Sequence, residues 1–129
     1  MLFRSSIPRS IAPIDVLRES GVVVAIGGDN VQDPFNPVGR SDPLETASLA
    51  IMATHRLPDE AFDLVSNSVR QVLGMPTMRF EVGDPADFLA IDAASVREAI
   101  ADAPADRRVF RRGVEVAVTS TTRHIAEQP

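Results

Sequence analysis

Residues 21–39 read GVVVAIGGDNVQDPFNPVG, and the fold turns on how this stretch is taken. Positions 22–26 form an unbroken apolar run, rich in β-branched side chains, as expected of a strand buried on both faces of a parallel sheet. The run enters Gly27-Gly28, which suits a tight backbone turn, and Asp29-Asn30 follow at once. A polar loop studded with prolines comes next, and only at Asp42 does a helix begin. In α/β folds chemistry is placed on loops after the carboxyl ends of strands. Asp29, an acid at the tip of the expected strand, is therefore the first site candidate.

Working outward, residues 12–20 read as a short helix. Pro13 sits in its first turn, Ile14 with Val16 or Leu17 gives an apolar face, and Gly21 closes it. Downstream, Pro34 and Pro37 stiffen the loop, because each proline fixes its own φ and restricts the residue before it. Asp42-Pro43-Leu44-Glu45 is a strong helix start, with Asp at the cap, Pro first and Glu third. That helix is expected to reach Thr54 and to be buried on nearly all sides, since Leu44, Ala47, Leu49, Ala50, Ile51 and Met52 surround it. A further helix opens at Pro58 and runs to about Leu73. Phe62, Val65, Val69 and Val72 lie on its inner side, Asp63, Asn67 and Arg70 on its outer side, and Gly74 closes it. The remainder reads as a Gly83/Pro85 turn, a strand over Phe88–Ile91, a short helix over residues 95–101, and a hairpin of 109–111 with 114–118 about Arg112-Gly113. The tail from Thr119 is polar.

Composition narrows the classes of function. Hydrophobic residues make up 44% of the 129, enough for one core, although Trp and Tyr are absent. There is no Cys, which excludes disulfides and thiolate metal sites and fits a reducing cytoplasm. All 13 basic residues are Arg, and the net charge is −5. The one dense basic patch, Arg107-Arg108 with Arg111-Arg112, alternates with Val109-Phe110. It reads as solvated arginines on a strand and turn rather than a nucleic-acid surface. No stretch is long and apolar enough to span a membrane, and no secretory pattern opens the chain, so a soluble cytoplasmic protein is expected. Gly-x-Ser-x-Gly is missing, and the Gly-Gly pair lacks the Lys of a phosphate loop, so serine nucleophiles and nucleotide cradling have no support. His55 at a helix end and His124 in the tail stand in no metal-ligand spacing.

The stretch GGDNVQDPFNPVGRSDPLE resembles the last barrel strand and following loop of cytosine-deaminase-like members of the amidohydrolase superfamily. Gly83-Asp84-Pro85-Ala86-Asp87, followed by an apolar strand, resembles that superfamily's return from the barrel into a small β domain. The resemblance implies a C-terminal fragment of a metal-dependent (β/α) barrel hydrolase that cleaves non-peptide C–N bonds. Residues 1–76 would then hold the last strand, the catalytic-type loop and the closing helices, with Met1-Leu2-Phe3 a remnant of the preceding strand. Residues 77–129 would hold part of the small β domain and its polar tail. A complete barrel takes about 250 residues, so the 129 present would be rearranged or completed by oligomerisation.

By the same resemblance Asp29 is the metal-ligating, proton-shuttling carboxylate, Asn30 stands where relatives carry a substrate-proximal acid, and Phe35 packs over the substrate ring. The cofactor implied is zinc or iron, and the partner a nucleobase-like or cyclic amidine small molecule. The His-x-His pair and further histidines of such sites are absent. The chain is therefore expected to bind no metal and to be inactive alone. The alternative is a non-catalytic homo-oligomeric module, or one half of a split enzyme whose missing strands another chain supplies.

Overall fold

A computed structural model describes residues 10–122 together with His124 and Ile125. The expected strand remnant at Met1-Leu2-Phe3 and the end of the polar tail lie outside the described residues. The order is α1 (Ile14–Glu19), α2 (Pro43–Thr54), α3 (Pro58–Val65), α4 (Asn67–Val72), β1 (Phe88–Ile91), α5 (Val96–Asp102), β2 (Arg107–Arg111) and β3 (Val114–Thr119).

The helix ends are written in local chemistry. Asp42 caps α2, its Oδ1 accepting the Leu44 N–H at 3.0 Å, with Pro43 in the first turn. Ser95 caps α5 by accepting the Glu98 N–H. Helix α1 stops in a paired-bond C-terminal motif: Gly21 N–H donates to Arg18 O and Val22 N–H to Leu17 O. Gly21 stands there at φ +80°, a conformation costly for any residue with a Cβ.

Two helical expectations need correction. Instead of one helix from Pro58 to Leu73, the chain breaks at Ser66, whose hydroxyl donates to the Phe62 carbonyl. Around the break, Ser68 Oγ donates to Asp63 Oδ2, and Asn67 exchanges two hydrogen bonds with the Met78 backbone. Short polar side chains here compete with the helical ladder and win. The inner stripe is Ala61, Leu64 and Ser68, while Phe62 and Val72 are exposed. Helix α2 is buried on one face only, through Leu44, Ala47 and Ala50, with Leu49 and Met52 turned to the surface.

The core forms where α2, α3 and α5 meet. Leu44, Ala47, Ala50, Ala61 and Ile100 make one buried cluster, and Ile26, Ile51, Val65, Ile91, Val96 and Ala103 pack around it. Alanines at the α2–α3 contact let the helix axes come close. The cluster draws on both sides of residue 76. β1, β2 and β3 form an antiparallel sheet in that order, β1 with Phe88 opposite Phe110 and Ile91 opposite Arg107. Phe88 stacks on Phe110 at 4.6 Å between ring centroids. The β2–β3 turn is the expected one: Arg112 and Gly113 both have positive φ, as a two-residue hairpin with native twist requires. It docks on the Pro85-Ala86-Asp87 segment, Arg112 N–H donating to Asp87 Oδ1 and Gly113 N–H to Ala86 O. Val116 is an extra residue in β3, because Val109 pairs with Ala117 and Phe110 with Glu115.

The basic patch also differs from expectation. Arg107 is not a solvated arginine. It grips Asp42 with two bonds, Nη1 to Oδ1 at 3.0 Å and Nη2 to Oδ2 at 2.8 Å, and donates further to the Pro104 and Ala103 carbonyls. One guanidinium thus joins the start of α2, the end of α5 and the sheet. Its hydrogen bonds hold the Asp42 carboxyl below the usual carboxylate range, against the opposing pull of burial, and the Leu44 N–H adds to the lowering. Arg107 is raised by the same bond. Arg108, by contrast, is exposed, pairing with Glu115 and lying over the Phe110 ring.

Candidate functional site

Residues 22–26 are where the structure departs furthest from expectation. Among the described residues they join no strand, and Val22 and Val23 are 48% and 42% exposed. Their tie to the body is at the far end, where Ile26 N–H donates to Leu64 O at 2.9 Å and the Ile26 side chain meets the core. The reason is topological: a two-faced strand needs neighbours on both edges, and the only sheet among the described residues is β1–β2–β3. Gly27 and Gly28 are also not the tight turn expected. Neither has a positive φ, and a Cβ on either would meet nothing within 4 Å.

Beyond them the loop is closely specified. Asn30 Nδ2 donates to Asp29 Oδ2 at 2.9 Å, and Asn30 O accepts from Asn36 Nδ2 at 3.2 Å. Asp33 Oδ1 accepts the N–H groups of both Phe35 and Asn36, each at 2.9 Å, closing a local turn. Gly39 N–H donates to Asn36 O, and here glycine is a steric necessity. A Cβ at position 39 would run into Asn30 O and lie 2.7 Å from Asn36 Nδ2. Gln32 and Ser41 adopt left-handed φ of +51° and +55°, a strain of about 1–3 kcal/mol each that clusters at functional sites. Arg40 then pairs with Glu45 of α2, so the loop re-enters the body at the capped helix start.

The loop brings the three expected residues together in one hydrogen-bonded run, with Asp29 and Phe35 exposed and Asn30 half-buried. Phe35 is 70% exposed. Asp33, Asn36 and Gly39, which hold that run, were not picked out from the sequence; the signal was the Asp-x-x-Asn spacing of an Asx-type turn. His55 takes a left-handed φ of +54° and closes α2 through its backbone N–H to Ile51 O. His124 is exposed. Among the described residues no three of His, Cys, Asp and Glu gather in a way that would hold a metal ion. Asp29 offers a single carboxylate, one oxygen of which already accepts from Asn30, and that donor set does not fit a complete metal site. No helix among the described residues is long and apolar enough to cross a membrane.

No family model matches the chain. Individual relatives do, and they share a chemistry in their names. A pterin deaminase of Rhizobium rhizogenes is 33% identical over 108 residues, covering 81% of this chain and 25% of its own. The structure of N-isopropylammelide isopropylaminohydrolase from Burkholderia multivorans superimposes with a TM-score of 0.74 at 30% identity, over 88% of this chain and 30% of that one. 5-Methylcytosine deaminase from Klebsiella pneumoniae, liganded with 5-fluorocytosine, gives a TM-score of 0.70 over 96% of this chain and 32% of that one. At 21% identity this last likeness speaks to the fold. The proteins it matches are thus hydrolytic deaminases and aminohydrolases. Over the matched stretch the chain is similar to deaminases and aminohydrolases of the amidohydrolase superfamily. It spans about a quarter to a third of the length of the relatives it matches.

Proposed function

We propose that this chain carries the proton-shuttling aspartate of a cytosine-deaminase-like hydrolase, and that the rest of the catalytic centre comes from polypeptide outside it. Asp29 takes a proton from the attacking water and passes it to the leaving nitrogen of a nucleobase-like or cyclic amidine ring. Phe35 covers the ring face, and Asn30 lies beside its polar edge. The divalent ion of the family, zinc or iron, supplies water activation when bound; Asp29 alone is too small a donor set to hold it. The observation that carries this reading is the exposed Asp29–Phe35 loop, fixed in shape in a chain matched to deaminases.

A chimera tests it, with this chain replacing the matched 108 residues of the pterin deaminase. Ammonia release from pterin or cytosine that disappears in Asp29→Asn is the expected result. A folded chimera whose activity survives that change sinks the reading. The isolated chain is expected to release no ammonia and to carry no stoichiometric zinc or iron by elemental analysis. About one ion per chain would show instead that association rebuilds a centre.

A second reading is favoured by the exposure of Val22 and Val23 on a segment that pairs with no strand among the described residues. The chain is then a non-catalytic module that self-associates through residues 22–26. Light scattering at the monomer mass, with the 22–26 amides protected from exchange, would remove it.

A further inference from the structure

We infer that Asp33 and Asn36 are positioning residues that set the relation between Asp29 and Phe35, and that they do so within the loop, without help from the remainder of a barrel. The functional half of this inference rests on Asp29 being the site residue as proposed above. The geometric half stands on its own.

The connection is continuous. From Asp29 Oδ2 it passes to the Asn30 side-chain amide, along the Asn30 residue to its carbonyl, and from there to Asn36 Nδ2. The Asn36 N–H shares the Asp33 Oδ1 acceptor with the Phe35 N–H, so the backbone bearing the aromatic ring is fixed by the same oxygen. Gly39 closes the run from behind, since its N–H binds Asn36 O and its missing Cβ is what lets Asn30 O and Asn36 lie where they do. Every one of these bonds joins residues no more than six positions apart. The ring is 70% exposed and the carboxylate is exposed as well, so the loop takes its shape before anything packs on it. Gln32 and Ser41, on either side of the Asp33–Gly39 turn, take positive φ. The consequence is a pair of groups delivered preorganised, one for proton transfer and one for a planar ring.

The experiment is NMR on the full free chain, reading the Asn30 side-chain amide, the Phe35 ring and amide exchange across residues 29–40. Asp33→Ala and Asn36→Ala are expected to move the Asn30 amide and Phe35 ring signals together. Asp33→Ala should also speed exchange of the Phe35 and Asn36 amides about tenfold, the effect of one lost hydrogen bond. Asp33→Asn, which keeps a carbonyl oxygen as acceptor, is expected to restore the wild-type pattern; a purely electrostatic role for Asp33 would not be rescued that way. Gly39→Ala, which places a methyl against Asn30 O, should give the same joint shift by a different route. Protection of the Leu44–Ala50 amides reports that each variant is folded. If Asn36→Ala or Asp33→Ala leaves either signal in place, or moves one without the other, the inference is overturned. Because the readout needs no turnover, a chimera whose activity survives Asp29→Asn fails the deaminase reading while leaving this result to stand or fall separately.

Discussion

The helical core and the Asp29 loop are held by opposite means. In the core, α5 comes from a distant part of the chain to meet the consecutive helices α2 and α3 over Leu44, Ala47, Ala50, Ala61 and Ile100, and the Arg107–Asp42 pair spans 65 positions. In the loop, the aligned bonds run between near neighbours and the large apolar side chain faces outward. The lesson is a division of labour. Long-range burial supplies stability and tolerates little chemistry, whereas short-range polar bonds supply shape and leave the reactive groups uncovered.

The largest test of that division is Leu64→Ala. Leu64 is completely buried, and its truncation should cost about 2–5 kcal/mol in urea unfolding while the Phe35 and Asn30 resonances stay in place. Collapse of the loop along with the core would break the comparison. Next is Asp42→Ala, which removes a cap and strands a largely buried guanidinium. It is expected to cost about 2–3 kcal/mol, between a lost helix cap and a broken buried pair. A smaller effect should appear on acidification. Pairing depresses the folded-state pKa of Asp42 below its ordinary 3.8. The stabilisation is therefore complete above that value and fades as pH falls from it towards the folded-state pKa. The urea midpoint gap between wild type and Asp42→Asn should accordingly be constant from pH 7 to 5 and narrow below about pH 4. Smallest of all, Asp29→Asn and Phe35→Leu should change stability by no more than about 0.5 kcal/mol. A larger loss at either would mean that the loop is part of the core after all.

Where the sequence spoke clearly, the cause was a local rule. Asp42-Pro43, the Arg112-Gly113 turn and Gly21 each settle their own backbone within a few residues, and the structure follows them. Strand β1 at Phe88–Ile91 is the one expected, because a turn and an apolar run delimit it. Residues 22–26 pair with no strand among the described residues, since an apolar β-branched run states a preference and not a partner. The helix break at Ser66 was hidden by a regular apolar spacing, while the deciding competition lay in the Ser66-Asn67-Ser68 hydroxyls and amide. Arg107 looked like any arginine in a basic cluster, and only the fold places a capping carboxylate from position 42 within its reach. In the site, Asp29 and Phe35 were legible as residue types, but the bonds joining them run through Asp33, Asn36 and Gly39, which periodicity does not reveal.

The extra residue in β3 has its own consequence for how the protein behaves in a crowded solution. All six positions of β3 are exposed and its outer edge is open among the described residues, which would ordinarily invite one molecule after another to stack on. Val116 breaks the even rhythm of donors and acceptors along that edge, so a straight incoming strand falls out of step halfway.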